Sequence, residues 1–154
     1  MESPSAFERR VPIVVLAGLG LVISAYLVAF QVGLIVNVWE PFFGNGSDKV
    51  LTWLPIPDAA FGVAAYGADI VLDSLGGPDR WRSHSTFVVC FGCVLSLFAV
   101  ASVGLVLMQL LVVGGLCTLC LCSAAISISL PFIARDELLA AWQELSRTRV
   151  AHNH

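Results

Sequence analysis

The sequence predicts an all-α integral membrane protein, a bundle of four transmembrane helices capped by an outer loop and followed by an amphipathic C-terminal helix. Composition, the spacing of charges and the sidedness of the arginines predict it. Of 154 residues, 58% are hydrophobic and 12% charged, against about 45–50% and about 25% in soluble domains. A soluble domain this small has too little interior to hide that much apolar surface. Lipid accepts the same surface without cost, so membrane lipid is the expected surroundings. The net charge is −3, and no basic cluster points to nucleic acid.

Each helix follows from the gaps between charges. Val11 to Val36 is a run of 26 residues without a charged side chain, more than the roughly 20 that one span needs. After Arg82 the next Lys, Arg, Asp or Glu is Arg135. That stretch suits two spans folded back at Gly114-Gly115, where glycine tolerates a tight reversal. The remaining segment, Pro57 to Leu75, carries Asp58, Asp69 and Asp73, and hydropathy alone leaves it undecided. Parity decides for a span. With four spans, Arg9, Arg10, Arg80, Arg82, Arg135, Arg147 and Arg149 share one side and only Lys49 lies opposite. Cytoplasmic flanks collect Lys and Arg, so both termini are expected in the cytoplasm and the protein in the inner (plasma) membrane. The first run is too long for a secretory h-region and lacks a clear cleavage site, which favours an uncleaved first span.

Two connections and a C-terminal tail complete the plan. Gly20 and Ser24 form a small-xxx-small pair that allows close helix contact. Asn37 to Ile56 is a sizeable outer loop, with turn formers Gly44, Asn45 and Gly46, breakers Pro41 and Pro55, and Pro57 just beyond. Its aromatics, Trp39, Phe42, Phe43 and Trp53, suit either a loop resting on headgroups or a lid over the bundle. Gly76 to Ser85 is a short basic turn. Residues 136–154 form a tail distinct from the 1–135 bundle, with Leu138, Leu139, Trp142 and Leu145 on one helical face. That face fits the inner membrane surface or a partner protein.

All five cysteines, Cys90, Cys93, Cys117, Cys120 and Cys122, lie in the last two spans. Cys90 and Cys93 sit just past the cytoplasmic loop, where a thiol acts as a small buried hydrophobe. Cys117 and Cys120 follow the outer turn, on the side where disulfides persist. They open a helix whose N–H groups and dipole favour a thiolate. The i, i+3 spacing puts their β-carbons about 5–6 Å apart, beyond the roughly 3.8 Å of a relaxed disulfide. A strained bridge is easily reduced, which suits a pair that cycles. Zinc would need two more ligands, and the outer side offers no histidine. Cys122 projects from a different face.

The C-T-L-C stretch Cys117 to Cys120, Ser47 with Val50-Leu51, and I-P-D-A-A-F-G-V-A-A-Y from Ile56 to Tyr66 together resemble the vitamin K epoxide reductase family, including its bacterial quinone-linked members. The resemblance covers roughly Val11 to Ala134. It implies a four-helix bundle around a quinone of the ubiquinone or menaquinone type. Cys120 would face the quinone, and Cys117 would exchange with a partner's thiols. Asp58, Phe61 and Tyr66 would line the quinone site, and Ser47 would order the loop. Asp58 is equally readable as a helix N-cap. Two departures stand out. No cysteine precedes Cys90, so the family's outer-loop relay pair is absent. The position four past Cys120, often Tyr in the animal enzymes, is Ala124. The implied activity is a thiol–disulfide oxidoreductase fed by a thioredoxin-like partner. The alternative is a non-catalytic accessory subunit of a larger membrane complex.

Overall fold

A computed structural model describes residues 7–44, 46–53, 58–74 and 85–152. The elements are α1 (Phe7–Gln31), α2 (Gly46–Trp53), α3 (Ala59–Ser74), α4 (Ser85–Met108) and α5 (Thr118–His152). A π-helical turn, Gln109–Val113, continues α4. No strand occurs among the described residues. The basic turn expected between Gly76 and Ser85 lies almost wholly outside them, as do Asn45, Pro55 and Pro57.

α1 stops at Gln31 although the uncharged run continues to Val36. Gly33 takes the left-handed conformation, φ +79°, and its amide donates to the Phe30 carbonyl at 2.9 Å while Leu34 N–H donates to Ala29 at 2.8 Å. A left-handed glycine of this kind terminates helices. α2 is an unexpected element, a short helix inside the loop between α1 and α3. α3 has 16 residues, about 24 Å at 1.5 Å per residue, short of the roughly 30 Å hydrocarbon core. Among the described residues, three helical segments are long and apolar enough to cross a membrane: Arg10–Gln31, Ser85–Val113 and Thr118–Thr148. α3 is not among them.

All four long helices nevertheless share one core. Ile13 and Ala17 of α1, Tyr66 of α3, Phe91 and Leu95 of α4, and Leu130 and Ala134 of α5 are mutually packed. α1 lies along α3, and α4 along α5. The α1–α3 contact uses the small residues at Gly20 and Ser24. A β-carbon on Gly20 would meet the Tyr66 ring at 2.5–2.7 Å, and one on Gly62 would meet Ser24 Oγ at 2.5 Å. The opposite faces expose Val22, Leu97, Val100, Leu111 and Phe132. A row of such side chains in water would be costly, whereas lipid solvates it.

Charged groups are also buried: Arg10 on α1, Asp69 and Asp73 on α3, and Glu137 on α5. Asp69 and Asp73 therefore turn inward rather than marking a wet helix end. α5 runs without interruption through Pro131 and Arg135 to His152. Leu138 does not share the exposure of Leu139 and Trp142. It packs against the core and fills the space left by Gly92 on α4.

Candidate functional site: a dithiol under a lid, beside a cavity

The reversal between α4 and α5 is a π turn followed by glycine. Gly114 adopts φ +65°, and the amides of Gly114 and Gly115 both turn back to the Gln109 carbonyl, the latter at 3.3 Å. Cys117 then stands immediately before α5 and acts as its cap. Leu121 N–H donates to the Cys117 carbonyl at 3.0 Å, and Cys120 N–H donates to the Cys117 sulfur at 3.2 Å. A side chain that accepts from the third helical N–H is the N-cap arrangement. Cys117 thus sits one position ahead of the first turn, and Cys120 within it.

Glu40, from the loop between α1 and α2, caps the same terminus. Its Oε2 accepts Thr118 N–H at 2.9 Å, and its Oε1 accepts the Thr118 hydroxyl. The loop is tied again where Trp39 N–H donates to the Tyr26 hydroxyl at 3.1 Å. Val50 and Leu51 of α2 pack on Cys117 together with Leu27, and Gly46 presses on the Leu116 backbone. Cys117 is consequently 0% exposed. The loop between α1 and α3 is a lid over this thiol, although Trp39 and Phe42 remain exposed on its rim.

The Glu40 latch gives a direct expectation. Loss of a helix-capping hydrogen bond costs about 0.5–2 kcal/mol, and local opening rises accordingly. Glu40→Ala should therefore speed alkylation of Cys117 by a maleimide by about two- to thirtyfold. Labelling of Cys122, already exposed, should be unchanged. Mass spectrometry of timed samples reads both, and an unaltered Cys117 rate would show that the lid opens by another route.

Beneath the lid a cavity of about 570 Å³ opens between α1, α3, α4 and α5, within the range of small-molecule sites. Cys120 lines it, with Asp58, Tyr66 and Gln109 among the polar residues on its wall. Asp58 is held by Gln31, whose Nε2 donates to Oδ1 at 2.5 Å. Ala59 N–H is shared between Asp58 Oδ1 at 3.0 Å and Gln31 Oε1 at 3.3 Å. Asp58 therefore both caps α3 and faces the cavity. Tyr66 reaches α5: its hydroxyl donates to the Ser123 carbonyl at 2.7 Å and lies 2.7 Å from Ser127 Oγ. Asp58 and Gln109 thus line the same cavity as the Cys120 thiol.

The structure thus brings together Cys117, Cys120, Asp58 and Tyr66. Phe61 also lines the cavity, on its outer rim, where it is 67% exposed. Ser47 belongs to α2, but its side chain lies outside the described residues. Cys90, Cys93 and Cys122 are exposed on the outside of the bundle. Sequence reasoning missed Glu40, Gln31, Gln109, Ser123 and Ser127. Gln31 and Gln109 carried a signal, since each is the one amide side chain within a long uncharged run.

A dithiol at the mouth of a largely apolar cavity, in a bundle whose outside suits lipid, has the layout that membrane thiol–disulfide chemistry requires. The sequence profile of the Vitamin K epoxide reductase family matches residues 11–134, and the chain belongs to that family. Its membership marks it as a membrane protein of a quinone-associated disulfide oxidoreductase family. Comparison with curated proteins and with solved structures gave no match.

Proposed function

We propose that the protein is a membrane oxidoreductase that passes electrons from a partner's dithiol through Cys117 and Cys120 to a quinone. The observation that carries this reading is the division of the pair. Cys117 lies under the outer lid, while Cys120, three residues on, lines the cavity. This division supports a protein partner at one thiol and a small molecule at the other.

The cavity fits a quinone ring on chemistry as well as size. Its wall is apolar with a few fixed polar groups, and it holds a buried amide oxygen, Gln109 Oε1, with no hydrogen-bond partner among the described residues. A bound quinone supplies a two-electron, two-proton acceptor. The protein does the rest. Cys117 and Cys120 lose two electrons and two protons as the S–S bond forms between them. A partner dithiol restores them by attack on Cys117, through a mixed disulfide that the partner's second thiol resolves. Gln31 orients Asp58, and the Tyr66–Ser123–Ser127 bonds fix the cavity wall. The lid excludes water and must open for the partner.

In this account α3 completes four spans, both termini are cytoplasmic, and the pair faces the outer side. The arginine sorting and the shared four-helix core support that arrangement. A second reading, an accessory subunit of a larger complex, is favoured by one observation: Cys117 is fully covered and the covering loop has no cysteine. The two readings part on chemistry. An enzyme's pair follows the redox state of added quinone, and a scaffold's does not.

A further inference from the structure

Gln109 sits where α4 gives way to the π turn, a helix irregularity that recurs at functional sites. Its main-chain carbonyl takes the amides of Gly114 and Gly115, while its side chain lines the cavity beside Cys120. The residue is 6% exposed. Its Oε1 is buried without a hydrogen-bond partner among the described residues. An acceptor buried without a donor is unfavourable, so this position awaits a ligand that brings an O–H or N–H.

A quinone offers different chemistry in its two redox states. The oxidised ring carries carbonyl oxygens, which accept hydrogen bonds and have no hydrogen to give. The reduced ring carries two hydroxyls, each a donor. Both hydrogens balance those lost when Cys117 and Cys120 form their S–S bond. An acceptor atom in the cavity wall therefore distinguishes the two forms.

Resting on the quinone reading above, we infer that Gln109 is a redox-selective binding residue: its Oε1 accepts a hydroxyl of the bound quinol and holds the reduced ring more tightly than the oxidised one. Preferential binding of the product draws dithiol oxidation forward. It also makes quinol release a step that Gln109 retards.

The test uses the full chain in lipid nanodiscs, with Cys117→Ser and Cys120→Ser present so that neither ligand is converted during measurement. Binding of a short-tailed ubiquinone and of its quinol is read by equilibrium dialysis. Gln109→Met keeps an unbranched side chain of similar length but removes the amide. It should weaken quinol binding about tenfold, equivalent to about 1.4 kcal/mol, and change quinone binding by less than about twofold. Gln109→Glu keeps an acceptor oxygen in either protonation state, so it should hold the quinol within about threefold of the parent. Comparison of the two ligands on the parent keeps the test decisive if Gln109→Met does not fold: the quinol should bind more tightly than the quinone, and equal or weaker quinol binding would overturn the inference. Equal losses for the two ligands, or no loss of quinol, would overturn the inference and leave the quinone reading standing. A parent protein that bound neither form would overturn both.

Discussion

Cys120→Ser should abolish quinone-coupled thiol oxidation, a loss of about a thousandfold or more, as expected when one member of a covalent pair is removed. The same substitution should leave a stable adduct. In the variant Cys117 can attack the disulfide of an oxidised partner, whose other sulfur leaves as a thiol. No Cys120 thiol remains to displace the partner from Cys117, so the mixed disulfide accumulates. The adduct should appear on a non-reducing gel of membranes from cells making the variant, and should vanish in the Cys117→Ser, Cys120→Ser double variant. Cys90→Ala and Cys93→Ala should leave turnover near that of the parent, because both side chains are exposed on the outside of the bundle. Loss of activity in those variants, with Cys117→Ala active, would move the site to the other pair.

Gly20→Leu should be the most damaging change away from the thiols. The first added carbon alone would stand 2.5 Å from the Tyr66 ring, well inside contact distance, and the rest of the side chain has nowhere to go. Overpacking typically costs about 1–3 kcal/mol. The thermal midpoint should then fall by about 2–12 °C on the scaling of soluble domains. The damage should also reach function. Displacing Tyr66 breaks its hydrogen bonds to Ser123 and Ser127 and deforms the cavity wall beside Cys120. Gly18→Leu is the matched control: nothing lies within 4 Å of its β-carbon position, so stability should stay within about 0.5 kcal/mol. Similar effects at both glycines would contradict the packing described for α1 and α3.

Much of this architecture is legible in the sequence because lipid imposes a simple rule on it. The long uncharged runs became α1, α4 and α5, and Gly114-Gly115 does reverse the chain. The Cys117–Cys120 pair opens the last helix. Three kinds of feature were not legible. Helix ends depend on single backbone conformations, and Gly33 ends α1 at Gln31 although hydropathy continues to Val36. The outer loop's short helix is amphipathic over only 8 residues, too few for periodicity to distinguish from turns. The site's polar contacts join distant parts of the chain: Glu40 to Thr118, Gln31 to Asp58, Tyr66 to Ser123. Local patterns carry no trace of such pairings. The C-terminal helix shows a further limit. A charge at Arg135 suggested a boundary, but Leu138 packs into the gap at Gly92 on α4, so the helix is held to the bundle past that point.

The central claim is that Cys117 and Cys120 exchange electrons with a quinone in the cavity that Cys120 lines. It is tested most directly by following the redox state of these two thiols in the purified protein. The protein is reduced, freed of reductant and mixed with ubiquinone in nanodiscs, then quenched in acid. Its free cysteines are alkylated and counted by mass spectrometry. The account predicts that Cys117 and Cys120 become a disulfide as quinone is supplied, with one quinol formed per pair. They should remain a dithiol when quinone is withheld, while Cys90, Cys93 and Cys122 stay alkylated throughout. A Cys117–Cys120 pair whose state is the same with and without quinone would contradict the account and favour the accessory-subunit reading.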